Sequence, residues 1–134
     1  MLKLEDFKAA KERVDEVITP TPLIYSEPFS AECRNQVYIK PENLQKTGAF
    51  KIRGAYNKIR KLSDEEKAKG LIAASAGNHA QGVAYAAREL GAKAVICMPA
   101  HTPLIKVKIR KSLGQKLSYM VKSMMMPTIN VWNL

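Results

Sequence analysis

Apolar residues recur at three- or four-residue spacing from Leu4 to Ile18, at Leu4, Phe7, Ala10, Val14 and Ile18, which predicts an amphipathic helix. Thr19-Pro20-Thr21-Pro22 stops it, because proline cannot continue a helix and biases its predecessor toward extended geometry. Gln36 to Lys40 reads as a short strand ending at Pro41. A second helical spacing covers 50–62, with Ile52, Ala55, Tyr56, Ile59 and Leu62 on one side. Ser63 followed by Asp64, Glu65 and Glu66 is an N-cap with acids in the first turn, and Gly70 ends that turn. Leu71 to Ala74 and Ala94 to Met98 are apolar runs of the buried-strand type. Between them, His79 to Leu90 predicts a helix closed by Gly91, and Thr102-Pro103 opens another that runs to about Gly114. Strand, helix, strand, helix implies parallel pairing in an open α/β sheet. No repeat or low-complexity linker interrupts the pattern.

Composition narrows the class. The chain has 134 residues, 46% of them hydrophobic and 25% charged, as in a globular domain. No apolar run reaches the ~20 residues that span a bilayer. The first helix mixes acids with bases and lacks an apolar leader core, so the reading is cytoplasmic, with no membrane partner. Cys33 and Cys97 are far apart, without metal or redox spacing, and no metal is expected. A net charge of +10 suggests nucleic acid, but its distribution does not. Residues 1–89 carry 15 Lys/Arg against 12 Asp/Glu, and no acid follows Glu89, while seven bases do. A basic binding module using Lys106, Lys108, Arg110 and Lys111 would lack interleaved aromatics and any recognised motif.

Two short stretches can carry chemistry. In Lys46-Thr-Gly-Ala-Phe-Lys-Ile-Arg-Gly-Ala55, Lys51 follows the aromatic Phe50 at a helix start. Helix N-termini and apolar packing disfavour an ammonium, so a lysine there can serve as a nucleophilic Schiff-base carrier. In Ser75-Ala-Gly-Asn-His-Ala-Gln-Gly82, between a strand and a helix, Gly77 permits close backbone approach. The helix start offers N–H groups to a carboxylate or phosphate, and Asn78 can donate or accept. Each stretch alone has an ordinary explanation, a solvated surface lysine in one case and polar capping residues in the other.

Together and in this order, the two resemble the threonine/serine dehydratase group of fold-type II pyridoxal 5'-phosphate (PLP) enzymes. Thr21-Pro22-Leu23 and the strand leading into Pro41-Glu42-Asn43 fit the same group, and the resemblance runs from about Val17 to Gly114. It implies that Lys51 bears PLP and removes the substrate's Cα proton. It also implies that Phe50 packs on the cofactor ring, and that Asn78 hydrogen-bonds the cofactor's 3'-oxygen. Ser75, Ala76, Gly77, Asn78 and His79 would grip the carboxylate of threonine or serine. The intact enzyme would be a homo-oligomer. Serine racemases of the group carry a second serine where this chain has Ala76, which favours the dehydratase. An amino-acid scavenger without catalysis is a further alternative, with half a cleft to bind through.

The family's phosphate-holding glycine loop lies downstream of position 134, so the chain resembles the front part of such an enzyme. Residues 1–65 would be the first segment of the large domain and 66–114 the start of the small one. The tail, 115–134, has three consecutive methionines and no acids. Back-translated with each codon begun one base earlier, Met120-Val121 forces a glycine, the three methionines force two aspartates and Met126-Pro127 forces an alanine. Permitted choices elsewhere give Ala-Glu-Val-Ile-Leu after Gly114 and Asp-Asp-Ala-Tyr further on, similar to the family's continuation. A one-base frameshift after Gly114 accounts for such a tail, and little turnover is expected of the chain as it stands.

Overall fold

A computed structural model describes residues 1–99, Gly114 and the backbone of residues 116–120. The elements are α1 (Leu4–Asp15), β1 (Ile24–Tyr25), α2 (Glu27–Cys33), β2 (Tyr38–Ile39) and a 3-10 turn (Glu42–Leu44). There follow α3 (Lys51–Arg60), α4 (Asp64–Lys69), β3 (Leu71–Ala74), α5 (Asn78–Glu89), β4 (Ala94–Pro99) and β5 (Lys116–Met120). β3, β4 and β5 form one parallel sheet in that order, Leu71 opposite Ala94 and Val95 opposite Lys116. β1 and β2 make a separate antiparallel pair. This is the parallel α/β arrangement that the strand–helix alternation predicts, since a parallel neighbour needs a crossover and α5 supplies it. The expected helix from Thr102 lies outside the described residues, apart from Gly114.

The core explains where each helix sits. Ile52, Ala55, Tyr56, Ile59 and Leu62 are all buried, as their spacing requires. They pack in one cluster with Val83, Ala84, Ala87, Ile96 and Met98, so a single core crosses the 65/66 boundary. α5 is buried nearly all round by its small residues, because it is wedged between α3 and the sheet. α4 starts as expected: Ser63 Oγ accepts from the Glu66 N–H at 3.2 Å, and the Glu66 carboxylate accepts from the Ser63 N–H at 2.7 Å.

Three local expectations differ. The first helix ends at Asp15, and only its C-terminal end is covered: Val14 and Val17 are buried, whereas Leu4 and Phe7 are exposed. β3 is buried on one face alone, since Leu71 and Ala73 face the core while Ile72 is 58% exposed. The strand expected over 36–40 shrinks to Tyr38–Ile39, because its partner β1 is only two residues long. Neither β1 nor α2 has a pattern strong enough to be seen in the sequence.

Candidate active site

The turn before Lys51 is built for a sharp reversal. Gly48 has φ +69°, left-handed backbone that glycine tolerates best, and its N–H donates to the Gln45 carbonyl at 2.7 Å. Phe50 caps α3 with backbone only, which makes Lys51 the first helical residue. The Lys51 ammonium lies 5.3 Å from the centre of the Phe50 ring. Both side chains open into a cleft of about 480 Å³, lined also by Gly54, Ala55, Ala74, Ser75 and His79. That volume is within the ~300–1,000 Å³ usual for small-molecule sites.

Across the cleft, β3 hands the chain to α5. The Ser75 N–H still bonds the Cys97 carbonyl at 3.0 Å, and then the chain leaves the sheet. Ser75 Oγ accepts from the Gly77 N–H at 3.1 Å, which folds the loop onto itself. Gly77 is the N-cap of α5 and has no side chain with which to cap it. The positive end of a twelve-residue helix therefore faces this loop without a competing side-chain acceptor from its cap. Burial, and then the charge of Lys51, lower the His79 imidazole from its ordinary value.

Of the residues singled out in the sequence, Phe50, Lys51, Ser75 and His79 share the cleft wall. Ala76, Gly77 and Asn78 belong to the same loop without being among the lining residues, and Asn78 is exposed. The set suits PLP in three respects. It has a primary amine at the wall and a ring beside that amine. At Gly54 an added Cβ would meet no atom within 4 Å, so the α3 side of the cleft is open to a flat group.

A polar clamp built on Arg53, two residues beyond Lys51, had no assigned role in the sequence. Arg53 donates from Nε and Nη2 to the two carboxylate oxygens of Glu42, both at 2.8 Å. The buried Thr21 hydroxyl donates to the same carboxylate at 2.6 Å, and Lys40 Nζ donates to the Thr21 carbonyl at 2.6 Å. Gln45, also buried, bonds both backbone groups of Thr19. Chiefly through the Arg53 hydrogen bonds, the Glu42 carboxyl is pulled down to about 2. The clamp ties the Thr-Pro loop and the Pro-Glu-Asn turn to α3, so these dispersed motifs form one support for Lys51. A second cleft of about 660 Å³ lies over this clamp, but its polar wall residues are already engaged, Thr21, Lys40 and Arg53 in the clamp and Lys11 with Asp15. In the sequence Thr21, Glu42 and Arg53 all stood in stretches that carry the resemblance, but nothing there tied them to one another.

Residues 14–126 match the model of a pyridoxal-phosphate dependent enzyme family. An L-threonine ammonia-lyase of Thermotoga maritima is 51% identical over 117 residues, which is 87% of this chain and 29% of that protein. Among solved structures, serine racemase from Dictyostelium discoideum superposes with a TM-score of 0.86 at 33% identity, covering 92% of this chain and 40% of that one. Processed threonine deaminase isoform 2 from Solanum lycopersicum gives 0.78 at 38% identity, covering 91% and 35%. The chain thus spans about a third of the length of the curated relatives it matches.

Proposed function

Because this chain belongs to the pyridoxal-phosphate dependent enzyme family, we propose that it is the front part of a threonine/serine dehydratase, with Lys51 as the cofactor-bearing amine. The observation that carries the reading is the meeting of Lys51, Phe50 and the Ser75–His79 loop at one cleft, in the order that the resemblance requires. PLP, when bound, supplies an electron sink for the carbanion at the substrate's Cα. The chain's own residues do the rest. The loop and the α5 N-terminus would hold the substrate carboxylate, Asn78 would hydrogen-bond the cofactor's 3'-oxygen, and Phe50 would pack against its ring. Once displaced from the cofactor by the substrate's own amine, Lys51 Nζ would take the Cα proton and the β-hydroxyl would leave as water, the net products being 2-oxobutyrate and ammonia from threonine, or pyruvate and ammonia from serine.

On this reading residues 1–65 open the large domain and 66–114 the small one, in a cytoplasmic homo-oligomer. Ala76 favours the lyase over the racemase. With no hydroxyl at that position, the loop lacks an acid for returning a proton to the opposite face. Residues 115–134 are assigned to a one-base frameshift. The test is the nucleotide sequence across codons 110–140 and onward, followed by expression of the continuous frame. The expected product converts threonine to 2-oxobutyrate, and Lys51→Ala lowers kcat by roughly 10²–10⁴-fold or more. A frame without a homologous continuation, or turnover indifferent to Lys51→Ala, would sink the proposal.

A further inference from the structure

Lys51 is fixed from in front by the Gly48 turn and from beyond by the Arg53–Glu42 clamp. A third support comes from the opposite helix. α3 and α5 make the most extensive contact between any two elements among the described residues. Where they cross, a Cβ built on Gly82 would lie 3.0 Å from both the carbonyl carbon and oxygen of Lys51, and 3.2 Å from the Ile52 nitrogen. Favourable carbon contacts sit near ~3.5–4.0 Å, so a methyl here has to push something aside. What it meets is the planar peptide of the first turn of α3, which has no rotamer to escape into. Glycine inside a helix is otherwise a poor choice, and α5 uses alanine at its other tight places, Ala80, Ala84, Ala86 and Ala87. Gly82 is the one buried position of this helix where even a methyl is too much.

We propose that Gly82 is a positioning residue for Lys51: its missing side chain lets α5 seat directly on the Lys51–Ile52 peptide and so sets where the amine enters the cleft. This inference rests on the reading of Lys51 as the cofactor-bearing amine. Displacing that peptide by a few tenths of an ångström moves the root of the Lys51 side chain relative to the Phe50 ring and the Ser75 loop. Reach alone can be recovered by the flexible stem, but not the same approach angle.

Two readouts on the 134-residue chain separate the inference from the function it rests on. The chain is incubated with PLP, reduced with borohydride so that the pyridoxyl group stays on whichever amine it joined, and mapped by peptide mass spectrometry. Backbone exchange of residues 51–56 is followed in parallel without PLP. For Gly82→Ala, label at Lys51 relative to the other lysines should fall about tenfold, and exchange in 51–56 should quicken about tenfold. Gly54→Ala puts the same methyl on α3 into open space and should leave exchange unchanged or slower. Unchanged exchange in Gly82→Ala overturns the contact. Faster exchange with undiminished Lys51 label overturns the positioning role and leaves mere packing. A wild-type chain with no preference for Lys51 overturns this inference, whereas the proposed function stands or falls with the continuous frame. Should Gly82→Ala not fold, Ile52→Val loosens the same seam without adding bulk, and a Lys51 label unmoved by it also overturns the role.

Discussion

The seam behind Lys51 and the antiparallel β1–β2 hairpin are both apolar but differ in how they close. At the seam, Gly82 of α5 seats on the Lys51–Ile52 peptide of α3, and Ile52, Ala80, Ala84, Ala86 and Ala87 are excluded from water. At the hairpin, Leu23, Ile24, Tyr25, Phe29, Tyr38 and Ile39 are all substantially exposed, and the best contact is an edge-on pair of Tyr25 and Tyr38 rings 5.5 Å apart. What separates them is above all the partners each finds. The seam finds its partners between Ile52 and Ala87, whereas among the described residues β1 and β2 pair only with each other. An isolated two-stranded pair is marginal in water. Among the described residues, the helix seam behind the proposed chemistry is therefore closed and the strand pair is not.

The largest expected effect breaks the seam. Ile52→Ala removes a fully buried side chain and should cost about 2–5 kcal/mol, read from urea denaturation. Ile24→Ala, on the hairpin, should cost a small fraction of that. Equal losses would mean the two regions are not different in kind.

The clamp comes next. Glu42→Gln keeps the shape but strips the charge that Arg53 grips, and about 2–3 kcal/mol should be lost. Its pH dependence has a definite sign. The folded Glu42 pKa of about 2 lies below the ordinary 4.5, so its contribution is complete above about 4.5 and drains away as pH falls from there toward 2. A chain carrying Glu42→Gln should show a flatter loss of stability over that window. If the two acid profiles superimpose, the carboxylate is not held as the geometry says.

How much of this was legible in the sequence follows from the range over which each signal acts. Ile52, Ala55, Tyr56, Ile59 and Leu62 announced a buried helix face because helical spacing is local. Ser63 and Glu66 announced their capping box for the same reason. The clamp was illegible because Thr21, Glu42 and Arg53 are 21 and 11 residues apart and meet only once the chain has folded. Leu4 and Phe7 misled because periodicity says which side of a helix is apolar, not whether anything covers it. At the site, Lys51 and the Ser75–His79 loop were visible through motif order. The contact of Gly82 with the Lys51 peptide depends on a helix crossing, which no spacing encodes.

A smaller effect lies between the two regions. Ser63→Ala removes the side-chain acceptor for the Glu66 N–H and one half of a reciprocal cap, and should cost about 1 kcal/mol. α4 contributes no buried residue, so the loss should appear as local opening of 63–69 before it appears in global unfolding. Hydrogen exchange resolves the two; a uniform rise across α3 and α5 would tie α4 to the seam more closely than its exposure suggests.

The smallest effect is the sharpest test of the comparison. Ile72 sits in β3 between the core residues Leu71 and Ala73, yet points away from them and is 58% exposed. Burial, not residue type, sets what a side chain contributes. Ile72→Thr keeps the β-branch, which suits a strand, and removes apolar surface that water already reaches. The expected change in urea stability is therefore within about 0.5 kcal/mol, an order below Ile52→Ala although both begin from isoleucine. Since exposed apolar strand faces promote association, the same substitution should raise the concentration at which the chain aggregates. A destabilisation near that of Ile52→Ala would mean that Ile72 is covered in solution, and the outer face would then be as closed as the seam.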